Sequence, residues 1–161
     1  MSNSLRTRTR LLTLAAAIAV VAPLTAIVAH DDHATGIYKV RHDEYHKLGD
    51  AFKTIRDQVK SNAPDAATIK TAALVVRDAS VNQFKWFPAG SGPVPGVKTR
   101  AKAEIWSKPQ DFEAAQKLFA ERAGKLNDVS ATGDVAAVKA QFGEVGKACK
   151  NCHDTFRTPE D

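Results

Sequence analysis

The sequence predicts an all-α protein, an antiparallel four-helix bundle with a long crossover loop between its second and third helices. Along most of the chain, apolar side chains recur at alternating spacings of three and four residues, as they do in helices that pack against other helices along one side. Residues 85–108 are different, because three prolines and three glycines make regular structure improbable over most of this segment. The hydrophobic fraction of 43% and aromatic fraction of 7% fit a globular, helical chain.

The first two helices are predicted over residues 37–60 and 65–84. Pro64 and Asp65 separate them, and both residue types are favoured where a helix begins. The apolar side of the first helix is formed by Tyr45, Leu48, Phe52, Ile55 and Val59, and that of the second by Ile69, Ala72, Ala73, Val76 and Ala79.

The last two helices are predicted over residues 109–127 and from Asp134 onward. Pro109 suits the first position of a helix, and Gly133 with Asp134 suits the start of the next. In the third helix Arg122 interrupts the apolar pattern, which indicates shallower burial there. The fourth helix keeps the pattern throughout, at Val135, Val138, Phe142, Val145, Cys149, Cys152 and Phe156. Both cysteines are therefore expected to face the interior of the bundle.

Residues 1–29 have the three parts of a secretory signal peptide: basic residues, an apolar stretch and small residues before a polar segment. We expect cleavage after Ala29 and a periplasmic protein. A retained membrane anchor is the alternative, since residues 11–29 approach the length that spans a bilayer, but Pro23 and the many alanines make a weak anchor. The expected mature chain, 30–161, has 20 basic and 18 acidic residues, a balance that argues against nucleic-acid binding.

The string Cys149-Lys-Asn-Cys152-His153 has the spacing at which a c-type haem is attached. Two thiols bond the haem and the following imidazole binds its iron. On a helix these three residues lie on adjacent turns of one face. A thioredoxin-like site would require strands, a zinc site would require further ligands, and a disulfide at this spacing would be strained. We therefore expect one covalent haem c.

Three stretches resemble the cytochrome c′ family, the class II c-type cytochromes. They are residues 149–157, residues 97–106 in the crossover, and Arg41 four positions before Tyr45. The resemblance covers nearly all of the chain after the leader. It implies a four-helix bundle with its haem near the carboxyl terminus, and it suggests a homodimer paired through the first helix.

The resemblance also implies which residues surround the cofactor. Cys149 and Cys152 would be the covalent attachment points and His153 the iron ligand. Arg41 would lie near a propionate, with His42 beside the haem edge, although family members often carry glutamine at that position. The other implied cofactor contacts are Tyr45 over the iron, Thr99, Glu104 and Trp106 in the pocket wall, and Arg157 on the side of His153. Without the family, Arg41 and Glu104 would be typical solvated charges and Trp106 a core residue.

No methionine is available as a sixth iron ligand, because the single methionine is Met1 in the expected leader. A neutral tyrosine, with a pKa near ~10, is a poor iron ligand. We therefore expect five-coordinate, high-spin iron. The alternative is a low-spin electron carrier with a second histidine ligand, His42 or His46, but Tyr45 rather than His46 lies on the apolar side of the helix. We expect His30, His33, His42 and His46 to be surface residues.

Two functions follow from these expectations. One is the binding of nitric oxide or carbon monoxide at an open iron; the other is the transfer of single electrons to a redox partner that the sequence does not identify. The chain lacks a recognisable combination of nucleophile, base and oxyanion donors, so we expect no hydrolytic or group-transfer enzyme.

Overall fold

The structure is a computed structural model that describes residues 31–159. The predicted leader, 1–29, lies outside the described residues. The described chain is helical, and its helices are α1 (Asp31–Gln58), α2 (Ala66–Asn82), α3 (Glu104–Ser107), α4 (Pro109–Ser130) and α5 (Val135–Phe156). The four long helices form the predicted antiparallel bundle, which confirms the fold class. Within residues 31–159 no helix has both the length and the apolar character needed to cross a membrane.

The long helices pack mainly as neighbours in pairs. α4 lies along α5 and α2, and α2 also lies along α1, whereas α1 and α5 approach each other closely over only a few residues. The main core is made by small and branched side chains from all four helices, with Ile55, Ala73, Val76, Ala123, Leu126 and Val145 fully buried. All five residues predicted for the inner side of α2 are buried.

The helix ends follow the predicted signals closely. The carboxylate of Asp65 accepts a hydrogen bond from the Ala67 amide (2.9 Å), and that of Asp134 accepts one from the Ala137 amide (3.0 Å). These bonds satisfy amides that have no partner inside the helix. Gly133 has a φ of +77°, a conformation that glycine adopts without strain. Pro109 is the first residue of α4.

The predicted boundaries differ from the observed ones by a few residues. α1 begins six residues before the predicted start, since no proline interrupts residues 31–36, and α4 continues three residues further than predicted. The α-helical part of α2 ends at Asn82, and a 3-10 turn, Gln83–Lys85, carries the chain on to Trp86. In α4 Arg122 is half-buried, as its break in the pattern indicates, and the next residue, Ala123, takes the innermost place.

The crossover is fixed to the carboxyl end of α5. Ala101 and Arg157 form an isolated antiparallel bridge, with the Lys102 amide donating to the Phe156 carbonyl (3.0 Å) and the Thr158 amide to the Arg100 carbonyl (2.9 Å). The short helix α3 follows at once. A second apolar cluster forms beneath it, consisting of Ile105, Phe112, Ala115 and Phe156 with Phe87, Ala101, Trp106 and Cys152 packed around them. The predicted loop therefore brings its aromatic residues to the region of the cysteines.

Candidate haem site

The two cysteines lie half-buried on the inner side of the last turns of α5. Cys149 packs against the main core and Cys152 against the second cluster, so the pair joins the two. Burial raises the pKa of both thiols to about 11. The two cysteines are free thiols in the structure. His153 lies on the next position and is exposed, and its carbonyl accepts the amide of Arg157 (3.1 Å).

Tyr45 extends from α1 toward the same region. Its ring meets Trp86 edge to face, with centroids 5.0 Å apart, and its hydroxyl lies 3.5 Å from the Gln83 side-chain oxygen. The residue as a whole is 36% exposed, and its part-buried hydroxyl lies beside Gln83. This burial raises the pKa of the phenol, and the nearby Cys152 adds to the effect, while Arg41 opposes it. The phenol therefore stays neutral over the physiological range.

Arg41 is a buried cation, only 5% exposed, on the same helix as Tyr45. One guanidinium nitrogen donates to the Ser91 carbonyl (2.6 Å), and three aromatic rings surround the group at 4.7 Å (Tyr38), 4.9 Å (Phe87) and 5.6 Å (Trp106). Desolvation lowers its pKa, an effect that Tyr38 opposes.

The hydrogen-bonding capacity of Arg41 is only partly used. Its Nε and second terminal nitrogen are buried and have no partner among the described residues. A buried cation is costly unless it is paired and hydrogen-bonded. The site thus has donors for an anion, and no carboxylate within residues 31–159 fills that role. A haem, which carries two propionates, fits both this donor set and the two thiols.

The crossover residues predicted for the site have different positions. Trp106 is half-buried, donates its indole N–H to the Pro88 carbonyl (2.9 Å) and lies against Gly92, where an added Cβ would come within 3.3 Å of the indole. Thr99 is half-buried and its hydroxyl accepts the Ala101 amide (3.2 Å). Glu104 begins α3 and faces Lys102 at 3.9 Å. Trp106 therefore packs beside the Arg41 guanidinium, whereas Thr99 and Glu104 contact neighbouring parts of the crossover.

Arg157 and His42 lie on different sides of the site. Arg157 ends α5, is half-buried, and is close enough to Tyr45 to lower the pKa of that phenol. His42 has an exposed side chain on the outer face of α1, where its ring lies 4.3 Å from that of His46. The resemblance implied that His42 lies beside Arg41 at the haem edge. That position of His42 at the haem edge stays a prediction.

Several residues of the site were not singled out by sequence reasoning. Tyr38 donates its hydroxyl to the Gly92 carbonyl and stacks on Arg41. Phe87 contacts Arg41, Tyr45 and Phe112. The sequence contains a signal for each residue. Tyr38 is about one helical turn before Arg41, and Phe87 forms an aromatic pair with Trp86 next to a segment rich in proline and glycine.

Comparison with known proteins identifies the family. The family model described as Cytochrome C′ matches residues 37–157. The chain belongs to the cytochrome c′ family. A cytochrome c′ of Alcaligenes xylosoxydans is 34% identical over 120 residues, which cover 74% of this chain and 91% of that protein.

Solved structures of cytochromes c′ share the fold of this chain. One, described as having an unusual ligand-controlled dimer dissociation, has a TM-score of 0.73 and 30% identity, covering 78% of this chain and 97% of the other. A second is a nitric oxide complex of a variant cytochrome c prime from Alcaligenes xylosoxidans, with a TM-score of 0.71, 30% identity, and coverage of 79% and 97%. The cofactor of the family is a covalently attached c-type haem, and this chain has the two cysteines for it.

Proposed function

We propose that this cytochrome c′ is an exported haem protein that binds the small neutral gases nitric oxide and carbon monoxide at five-coordinate, high-spin iron. The proposal rests on the identity of the α1 residue that lies next to the two half-buried cysteines of α5. It is Tyr45, whose buried hydroxyl has a raised pKa, and not a methionine or a histidine. His42 and His46, the alternative ligands, are on the outer face of α1. The nitric oxide complex of a relative with the same fold is consistent with this function.

The residues that would hold the cofactor follow from the donors described above. Cys149 and Cys152 would each add their S–H across one vinyl group, and His153 would supply the imidazole. The unpartnered nitrogens of Arg41 would donate to a propionate. When bound, the haem supplies an iron that can accept a gas molecule or an electron.

The protein side chains would determine which ligands enter. We assign Tyr45, Leu48 and Phe52 to the side opposite His153. Phe52 stacks on Phe142 with ring centroids 4.1 Å apart, and Tyr45 rests on Trp86, so this side is mainly apolar. Water and anions lose more solvation on entering such a surface than a neutral diatomic molecule does. We therefore expect selection for neutral gases, with weak retention of oxygen because no strong donor is fixed there.

Single-electron transfer is the competing function, either by the high-spin protein or by a low-spin form with a second histidine ligand. Titration of the reduced protein with carbon monoxide and nitric oxide, followed by visible absorption, separates gas binding from the low-spin form. We expect one gas molecule per haem and a shifted spectrum. If the reduced spectrum is already low-spin and does not change with either gas, gas binding is excluded and the electron carrier with a histidine ligand replaces it.

We also propose that the protein is periplasmic and dimeric. The leader-like residues 1–29 support export, and mass determination of the exported protein should give a chain starting at or near His30. Dimerisation is supported by an exposed apolar stripe on α2 and the 3-10 turn, formed by Leu74, Val81 and Phe84, which follow one another at intervals of seven and three residues and so share one side. The dimer named for a relative is consistent with this proposal.

A further inference from the structure

Two exposed histidines of α1, His42 and His46, form a close pair. His42 and His46 are four residues apart on one helix, so their side chains project from adjacent turns on the same side. Their ring centroids are 4.3 Å apart and the ring planes are inclined by 47°. Both residues are exposed, and the side chain of His42 retains 68% of its accessible surface.

The ring spacing is close to that of a metal chelate. Two imidazoles that bind one ion at about 2.0–2.1 Å, at angles between square and tetrahedral, have centroids roughly 4.5–5 Å apart. The observed pair therefore needs only small side-chain rotations to bind one ion. The exposed position of both rings leaves room for these rotations and for water molecules to complete the coordination.

A neighbouring carboxylate orients one of the rings. Asp43 Oδ1 lies 3.2 Å from His42 Nδ1, and the same carboxylate is paired with Lys39. A carboxylate in this position favours a proton on Nδ1 and leaves Nε2 with a free lone pair. Histidines that bind metals commonly have such a carboxylate behind them.

The local charge also permits a cation at this position. The two nearest lysines are neutralised within the helix, Lys39 by Asp43 and Lys47 by Glu44 at 2.5 Å. The described residues contain no group of three or more side chains able to hold a metal, so the site has two protein ligands. Neutral imidazoles select late transition metals, with Cu²⁺ bound most tightly, over Mg²⁺ or Ca²⁺.

We propose that His42 and His46 form a surface binding site for a divalent late transition-metal ion such as Cu²⁺, a second metal site beside that of the haem iron. The ion is held by the Nε2 atom of His42 and a ring nitrogen of His46. Asp43 acts as a positioning residue for His42.

The test is calorimetric titration of the haem protein with Cu²⁺, supported by electron paramagnetic resonance of the bound ion. His42→Gln and His46→Gln should each weaken the binding about tenfold or more, since even loss of an outer partner of a metal ligand costs this much. The register control is the double variant His46→Gln/Lys47→His, which keeps the number of imidazoles but moves one off the shared side. It should bind as weakly as His46→Gln. Mg²⁺ should give no binding heat.

A second control concerns the other two histidines near the start of the expected mature chain. His30→Gln/His33→Gln should leave the Cu²⁺ affinity unchanged. Circular dichroism should show native helix content in every variant. The proposal is overturned if either His42→Gln or the register control binds Cu²⁺ as tightly as the unaltered protein, or if binding is lost in His30→Gln/His33→Gln instead.

Discussion

Arg41 connects the fold to the cofactor at the scale of a single residue. Its guanidinium is buried among aromatic rings, yet one hydrogen bond to the Ser91 carbonyl is the only one its nitrogens make to the described residues. The cost of burying a cation in this way is offset when an anion reaches the remaining donors. Arg41 should therefore stabilise the haem-free chain less than it stabilises the haem protein.

Arg41→Met tests this difference. In the haem protein we expect the free energy of unfolding to fall by about 1.5–3 kcal/mol, the usual contribution of hydrogen bonds to charged groups. In the haem-free chain, produced without the leader, the free energy of unfolding should fall by less, because the substitution also removes two unsatisfied donors. Urea unfolding of both forms provides the measurement, and Arg56→Met, at an exposed position of the same helix, is the control. Equal losses in both forms would contradict a role toward the cofactor.

Tyr45 should give a distinctive alkaline titration. Its pKa is raised in the folded protein, chiefly by burial, so folding favours the neutral phenol. The resulting stability is fully present below the unfolded pKa of about 10 and is lost as pH rises above it. The chain has two tyrosines, so the absorbance difference between the unaltered protein and Tyr45→Phe isolates this phenol. We expect its ionisation at a higher pH than a free tyrosine; ionisation at or below pH 10 would contradict the buried position.

At the scale of the helices, α5 depends on its first residues as well as on its apolar stripe. Asp134 accepts the Ala137 amide at 3.0 Å and begins the helix that carries both cysteines. Asp134→Ala should lower the free energy of unfolding by about 0.5–2 kcal/mol, the usual cost of losing such a cap. Asp128→Ala, an exposed acid within α4, is the matched control and should have little effect. A loss no larger than that of the control, measured by urea unfolding, would show that this cap does not stabilise α5.

The sequence predicted the helices well because their signals are local. The inner positions of α2 were all correct, and Asp65, Pro109 and Asp134 marked the helix starts, since caps and periodicity act over a few residues. The cysteine motif was equally local. The surroundings of Arg41 were not predictable in the same way, because Ser91 comes from a crossover 50 residues away. The exposure of the His42 ring and its closeness to His46 are likewise seen only in the folded chain.

At the scale of the whole molecule, the apolar stripe on α2 should decide the oligomeric state. Val81 is 57% exposed, more than any other large apolar residue whose exposure the structure describes. Val81→Glu introduces a charge that would have to lose its hydration in an interface, so we expect the dimer to dissociate. Sedimentation velocity at several concentrations measures this. Val94→Glu, the same change at an exposed position of the crossover, is the control, and an unaltered dimer in Val81→Glu would exclude the α2 stripe as the interface.

Our central proposal is that this bundle, which has a neutral tyrosine beside its cysteines, leaves the haem iron without a sixth protein ligand. The most direct measurement is the spin state of the purified haem protein, by electron paramagnetic resonance and visible absorption in the oxidised state and by absorption in the reduced state. We predict high-spin, five-coordinate spectra in both states at neutral pH, in the unaltered protein and in Tyr45→Phe. A low-spin spectrum that becomes high-spin in His42→Gln or His46→Gln would contradict the account, because it would show that a histidine of α1 binds the iron.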